Sequence, residues 1–527
     1  MTWFLALIAL LLPWLTGAAL LYAAAALTLS RTTVHAPGEI FWRLGAGAFL
    51  GYWLVTCLMR LLALLGIPFG LTVIALPLLL ITALAVFVGW QRAPFFTLSP
   101  RGRGCPEEPA PEALLIGGAG EGANKTPPLQ GESWGGDGFS ASPSPPAPLP
   151  QGERGAERDA SSQKCALLSQ NSFLDLPKLT RYLFFALLAW LALRFGLLFF
   201  EVSTRPLFPW EASIQWASKA HVYFGLKTLA PFGDSTAWFN GNFSGNVYLD
   251  NAPNLPITLP LLQAWMCVAI GKWNDVLMNL PWWGMLLALT FAVYGFMRSQ
   301  GLGPFASLIT AWLVASLPLL NTHVALAGLP DLPLAGTFTL AALSLMRWSH
   351  SRQWLDLFCA LLFALIAAML WPTAYLWLAL LLPALVCILL PKSARILALA
   401  LPVVTIAGLL TLTQAGASLS PALANLHFDT DPDTWLSNFI TGENWHLLWL
   451  AALATTVIGL RECLHTRIAP LTFIVWGGIL ISVVAIALPE LVSWLFGAMQ
   501  AERLLITVAP LILVWVVIVF RERFLSP

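Results

Sequence analysis

A chain of 527 residues that is 58% hydrophobic and only 10% charged cannot be a water-soluble fold, because its surface would be built from apolar side chains. Its formal net charge of +1 offers no basis for nucleic-acid binding. The seven cysteines, Cys57, Cys105, Cys165, Cys267, Cys359, Cys387 and Cys463, lack the spacing of a zinc site or a disulfide framework.

Apolar runs long enough to cross a bilayer recur from the start of the chain. Three of them, near 3–28, 41–59 and 69–90, form an N-terminal transmembrane segment over 1–91. The first lacks the basic flank of a signal peptide and reads as a retained helix. The stretch 92–179 is different material. It is rich in Gly, Pro, Ser and Glu, includes the run Ser142-Pro-Ser-Pro-Pro-Ala-Pro-Leu-Pro150, and reads as a disordered insert.

Ten further spans follow near 180–200, 277–297, 304–321, 332–346, 354–370, 373–390, 395–413, 446–460, 468–487 and 504–520, within a core over 180–527. The fold class is therefore all-α and polytopic, with about thirteen transmembrane helices. Basic residues fix the expected orientation. Arg92, Lys178 and Arg181 flank the insert, and Arg298, Arg347, Arg352, Lys392, Arg395, Arg461, Arg467, Arg521 and Arg523 fall in alternate later connections. The positive-inside rule places all of these in the cytoplasm. It also requires 256–272 not to cross, so this segment is expected as an interfacial helix on the outer surface.

Polar groups then concentrate on the outer side, in loops 201–275 and 414–445 and in two shorter segments, 321–331 and 489–503. Carboxylates are scarce, Asp and Glu together numbering 26, which makes Glu211 informative. It follows Pro209 at the start of an expected amphipathic helix, with Gln215 and Ser218 on its face and Trp210, Trp216 and Tyr223 suited to the headgroup zone. Partial burial would raise its pKa and Arg205 or Lys219 would lower it, the balance a general base needs. A solvated carboxylate at a helix N-terminus is the plainer alternative. Asp331 heads another span, either as a helix cap or as a second acid. Arg503 opens the last span on the outer side, against the usual bias, and suits a lipid-linked phosphate or an ion pair with Glu490 or Glu502. Arg205 and Lys219 are further phosphate candidates. His323 reads as packing, and His427, Asp429, Asp431 and Asp433 as a solvated acidic loop without the spacing of a calcium site. No Walker or dinucleotide motif is present, so an enzyme acting outside would need a donor already activated on a lipid.

Four segments in order carry a family resemblance. Phe208-Pro-Trp-Glu-Ala-Ser-Ile-Gln-Trp-Ala-Ser-Lys-Ala220 resembles a first outer loop of the form PWDAW…W..KA, and Asn254-Leu-Pro-Ile-Thr-Leu-Pro-Leu-Leu-Gln-Ala-Trp265 resembles a YPPL juxtamembrane helix. Gly328-Leu-Pro-Asp-Leu-Pro-Leu-Ala335 and Glu502-Arg-Leu-Leu-Ile-Thr-Val-Ala-Pro510 resemble a G.aDlPLA segment and an RLLLqllP helix start. Over 180–527 the chain is thus similar to the GT-C glycosyltransferases that use polyprenyl-phosphate sugars, which include protein O-mannosyltransferases and the lipid A aminoarabinose transferase.

The resemblance implies an inverting sugar transfer at the periplasmic face of a bacterial inner membrane. The donor is a polyprenyl-phosphate sugar and the acceptor a lipid, glycan or protein. Glu211 is the implied base, Asp331 the second acid and Arg503 the phosphate contact, with Arg205, Lys219 and Gln215 as substrate contacts; a divalent cation is left open. The pattern departs in three places: Glu211 stands for Asp, Leu255-Pro256 for Tyr-Pro, and Trp371-Pro-Thr-Ala374 for a charged KNEG-like segment. Two rivals are a GT-C-like lipid-binding protein without turnover and a transporter of lipid-linked glycans. The later spans lack the mid-membrane charges a transporter needs.

Overall fold

The computed structural model describes residues 1–28, 37–92, 173, 176–241, 247–390, 431–437, 439, 445–465, 467–488 and 501–524. Most of the insert (93–172, 174 and 175), the expected span 395–413, and His427, Asp429 and Glu490 lie outside the described residues.

The protein is an all-α membrane protein. Among the described residues, seven helices are long and apolar enough to cross a bilayer, or eight if one bent pair counts as a single span. In chain order they begin with α1 (Thr2–Thr28), α2 (Glu39–Leu64), α3 (Leu71–Arg92) and α4 (Lys178–Thr204). After a polar loop come α5 (Ser218–Leu226), α6 (Thr258–Ile270) and α7 (Leu280–Ser299). The bent pair is α8 (Pro304–Ala315) with α9 (Pro318–Ala325), related by 59°. Next is α10 (Asp331–Ser351), followed by the shorter α11 (Trp354–Ala368), α12 (Ala374–Ala379), α13 (Leu381–Leu389) and α14 (Leu448–Ile458). The helices α15 (Ala469–Ala487) and α16 (Ala501–Phe524) complete the bundle. Among the described residues, strand structure is confined to the pairing of Phe232–Gly233 with Tyr248–Leu249 in the polar loop.

Helices with lipid on the outside gain little from water exclusion between them, so close packing and internal polar contacts hold them together. Small residues allow that approach where α1 crosses α2. A Cβ added at Gly51 would lie 1.7 Å from the carbonyl oxygen of Pro13. The N-terminal helices are also pinned to the rest of the bundle by charge. Glu39, at the start of α2, accepts from Arg43 at 3.2 Å and from Arg347 of α10 at 2.7 Å; the Arg347 Nε bonds Asp356 at 3.0 Å. Residues 1–94 and 170–527 accordingly form one compact unit.

The helix α6 departs from expectation. All 13 of its residues are buried, and the Trp265 indole donates to the Ala9 carbonyl of α1 at 2.9 Å. A helix apolar on every side finds its partners inside a protein, which is why it is enclosed here rather than laid along a surface. Its start is tied down by Thr258, whose hydroxyl accepts from Arg60 at 2.8 Å and donates to the Met369 carbonyl at 2.6 Å.

The column of the bundle is α10, buried continuously from Asp331 to Met346. It carries Asp331 at one end and Arg347 at the other, about 24 Å apart at 1.5 Å per residue. Arg347, Arg352, Arg467, Arg521 and Arg523 gather at the second end. There Arg352 bonds the Ile388 carbonyl, His350 the Arg467 carbonyl, and Arg523 the Glu462 carboxylate.

Candidate functional site

At the Asp331 end, three residues far apart in sequence meet. The Arg503 guanidinium grips Asp331 with two bonds, Nε to Oδ1 at 3.1 Å and Nη2 to Oδ2 at 2.8 Å. Its remaining arm, Nη1, bonds Glu211 Oε2. The planar fork of arginine suits this arrangement, since one edge can take a carboxylate in two-point fashion while a separate nitrogen serves another acceptor. The two acids differ in environment: the Asp331 side chain is 2% exposed and Glu211 is 32% exposed.

Local structure explains how each group arrives. The helix α10 starts at Asp331 itself, after Pro330, and the carboxylate is engaged by Arg503. A negative charge in the first turn is favoured by the helix dipole, and the side chain is left to face Arg503. Glu211 precedes a π-helical turn, Ala212–Ala217. Gly328 lets that turn come close: it has φ +103°, and a Cβ there would lie 2.8 Å from Leu207, 2.9 Å from Ala212 and 3.6 Å from the Gln263 amide nitrogen. The Trp282 indole holds the Leu329 carbonyl at 2.8 Å, fixing the same loop.

The surroundings of Glu211 correct part of the expected picture. Trp210 is 80% exposed and remains suited to headgroups, whereas Trp216 and Tyr223 are buried. Trp216 packs its ring 5.4 Å from that of Trp371, so the segment 371–374 contributes to an aromatic wall. Around this wall several buried polar atoms have no hydrogen-bond partner: both amide atoms of Gln263, Gln215 Oε1, the indole nitrogens of Trp216 and Trp371, and Thr373 Oγ1. Such atoms are uncommon inside proteins and call for a chemical reason.

The other candidates are placed elsewhere. Lys219 is fully buried; its ammonium donates to the Ala252 carbonyl at 2.7 Å and lies 3.6 Å from Asp250, so it braces the polar loop. Burial pulls the Lys219 pKa down and Asp250 pushes it back up. Arg205 pairs with Glu201 at 2.8 Å on an exposed face. A pair of that kind is worth roughly 0–1 kcal/mol.

His323 reads as packing in the sequence, yet the structure sets its Nε2 3.7 Å from Asp331 Oδ2, while Nδ1 donates to the Leu319 carbonyl at 2.9 Å. It is buried at the site, not merely interfacial. Gln263 was equally inconspicuous; its signal is a single amide in an otherwise apolar helix. Among the described residues no three of His, Cys, Asp and Glu cluster as a metal site.

Comparison of the chain with family models, with curated proteins and with solved structures gives no match.

Proposed function

We propose that the chain is a GT-C-like glycosyltransferase with about thirteen crossings in a bacterial inner membrane. It moves a sugar from a polyprenyl-phosphate carrier to a lipid, glycan or protein acceptor at the periplasmic face, with inversion. The observation that carries this reading is the meeting of Glu211, Asp331 and Arg503, three groups drawn from segments 292 and 172 positions apart.

The geometry divides the work. Asp331, buried and held twice, fixes the guanidinium. Glu211, more exposed and held by one arm, is the exchangeable partner. A phosphate oxygen of the donor takes over Nη1 and frees the Glu211 carboxylate. Glu211 then accepts the proton of the acceptor hydroxyl as that oxygen bonds to the anomeric carbon. The bond from this carbon to the phosphate oxygen breaks, and its electron pair leaves on the lipid phosphate, which Arg503 stabilises. The aromatic wall of Trp216 and Trp371, with the unpartnered groups of Gln215, Gln263 and Thr373, offers stacking and hydrogen bonds of the kind a sugar uses.

One observation favours a second reading. Arg503 is already matched by two carboxylates, as a purely structural latch would be, which fits a lipid-binding protein without turnover. A transfer assay in membranes, with radiolabelled polyprenyl-phosphate sugars, separates the two. Catalysis requires wild type to form product and Glu211→Gln to lose it by about 10²-fold or more. Product formation unchanged in both Glu211→Gln and Asp331→Asn removes the catalytic assignment.

A further inference from the structure

A second polar site lies at the opposite end of the bundle and owes nothing to the sugar-transfer reading. A cavity of about 440 Å³ opens between the ends of α10, α15 and α16 and the turn before α8. That volume falls within the roughly 300–1,000 Å³ of small-ligand sites. Its rim carries Arg467, Arg521, His350 and Ser349, with one carboxylate, Glu522; its floor includes the buried Ile468 and Ile518.

Two of the cationic side chains, Arg521 and His350, are held in place beside one space. Arg521 Nη1 donates to the Gln300 carbonyl at 2.5 Å, which fixes its guanidinium and leaves other N–H groups to the cavity. His350 Nε2 donates to the backbone carbonyl of Arg467 at 3.1 Å, fixing that turn and directing Nδ1 elsewhere. The neighbouring arginines are spent: Arg347 on Glu39 and Asp356, Arg523 on Glu462, Arg352 on the Ile388 carbonyl. The Arg467 guanidinium, by contrast, has no partner among the described residues. Two arginines against one glutamate leave a formal charge of +1 before His350 is counted.

Position adds the second constraint. Trp354, exposed at the same end, suits the level of a membrane interface. A cleft with a cationic rim and an apolar floor at that level matches a group carrying one negative charge above hydrocarbon. We infer that this cleft binds a phosphate group, most naturally the phosphodiester headgroup of an anionic lipid in the arginine-rich leaflet.

The test uses the purified full-length chain and native mass spectrometry, titrated separately with phosphatidylglycerol and phosphatidylcholine. Wild type is expected to retain phosphatidylglycerol about ten-fold more tightly than phosphatidylcholine. Arg467→Ala is expected to weaken that retention about five-fold, as one basic contact near a membrane surface is worth. Arg521→Gln should act in the same direction, and Arg523→Ala, outside the cleft, should not. Displacement of the lipid by millimolar inorganic phosphate supports the same chemistry and assigns it to a soluble phosphate instead. Equal retention of the two lipids by wild type, or wild-type retention by a folded Arg467→Ala, overturns the site.

Discussion

Arg503 and Asp331 form a two-point ion pair, Nε to Oδ1 at 3.1 Å and Nη2 to Oδ2 at 2.8 Å, between the first turns of two bundle helices. Lysine keeps the charge but offers a point donor in place of the fork. Arg503→Lys should therefore leave Asp331 or Glu211 without its partner. Removing one member of a buried pair costs about 3–5 kcal/mol. Thermal unfolding in detergent is expected to shift down clearly for Arg503→Lys. It should recover in part when the buried acid is removed as well, as in Arg503→Leu with Asp331→Leu. No recovery in the double variant would mean that the pair is not the unit of stability.

The Lys219–Asp250 pair makes a pH prediction. Burial, the larger influence, lowers the Lys219 pKa in the folded state relative to the unfolded chain. Between that lowered value and the unfolded value of about 10.4, the unfolded state binds more protons, so stability rises with pH through this window. Below it both states are charged and the contribution is flat. Lys219→Met should lose the rise and also strand Asp250, lowering the unfolding temperature at neutral pH. Unfolding followed from pH 7 to 10.5 reads both effects. A wild-type curve that falls over the window where the variant is flat contradicts the assignment.

What the sequence made legible, and what it hid, follows from the range of each interaction. Glu211, Asp331 and Arg503 stood out because a charge beside an apolar run is costly and rare, and that argument needs no neighbours. Lys219 was equally visible as a charge, but its role depends on Asp250, 31 positions further along a loop without periodic pattern. The local signal of His323 and Gln263, one polar residue in an apolar helix, looks alike whether that residue packs or faces a site. The helix α6 was recognisable as a helix, but burial on all sides and residence at an interface follow from the same apolar composition. The docking of α1 and α2 includes Glu39 meeting Arg347, a contact that only the folded chain reveals.

That contact can be tested by splitting the chain. Two fragments, 1–92 and 170–527, are expected to co-purify when co-expressed in membranes, because the Glu39–Arg347 pair and the close approach of Gly45 in α2 to Ala288 and Ala292 in α7 bridge them. Arg347→Met leaves Glu39 and Asp356 buried without their shared cation, a loss of about 3–5 kcal/mol. Recovery of the 1–92 fragment with its partner should fall several-fold in that variant. Equal recovery would show that apolar packing alone docks the N-terminal helices. The intact chain lacking 97–172 should keep wild-type unfolding temperature and transfer activity, as expected from the Gly-, Pro- and Ser-rich composition of that segment.

Gly328 connects backbone geometry to the candidate chemistry. Its φ of +103° is a conformation that residues with a Cβ rarely adopt, and the added atom would meet Leu207 at 2.8 Å and Ala212 at 2.9 Å. Strain of this kind costs on the order of 1–3 kcal/mol before the clash is relieved. Relief is available only by moving the Leu207–Ala212 segment, which carries Glu211, or the loop that leads to Asp331. Either movement parts Glu211 from Arg503 while the Arg503–Asp331 pair, anchored in two helices, stays together. Gly328→Ala is therefore expected to lower transfer activity by about 10²-fold, the usual penalty for displacing a group by about 1 Å from its working geometry. It should lower the unfolding temperature much less than Arg503→Lys does. A variant with full activity would show that Glu211 does not need this position, and with that the base assignment would fail.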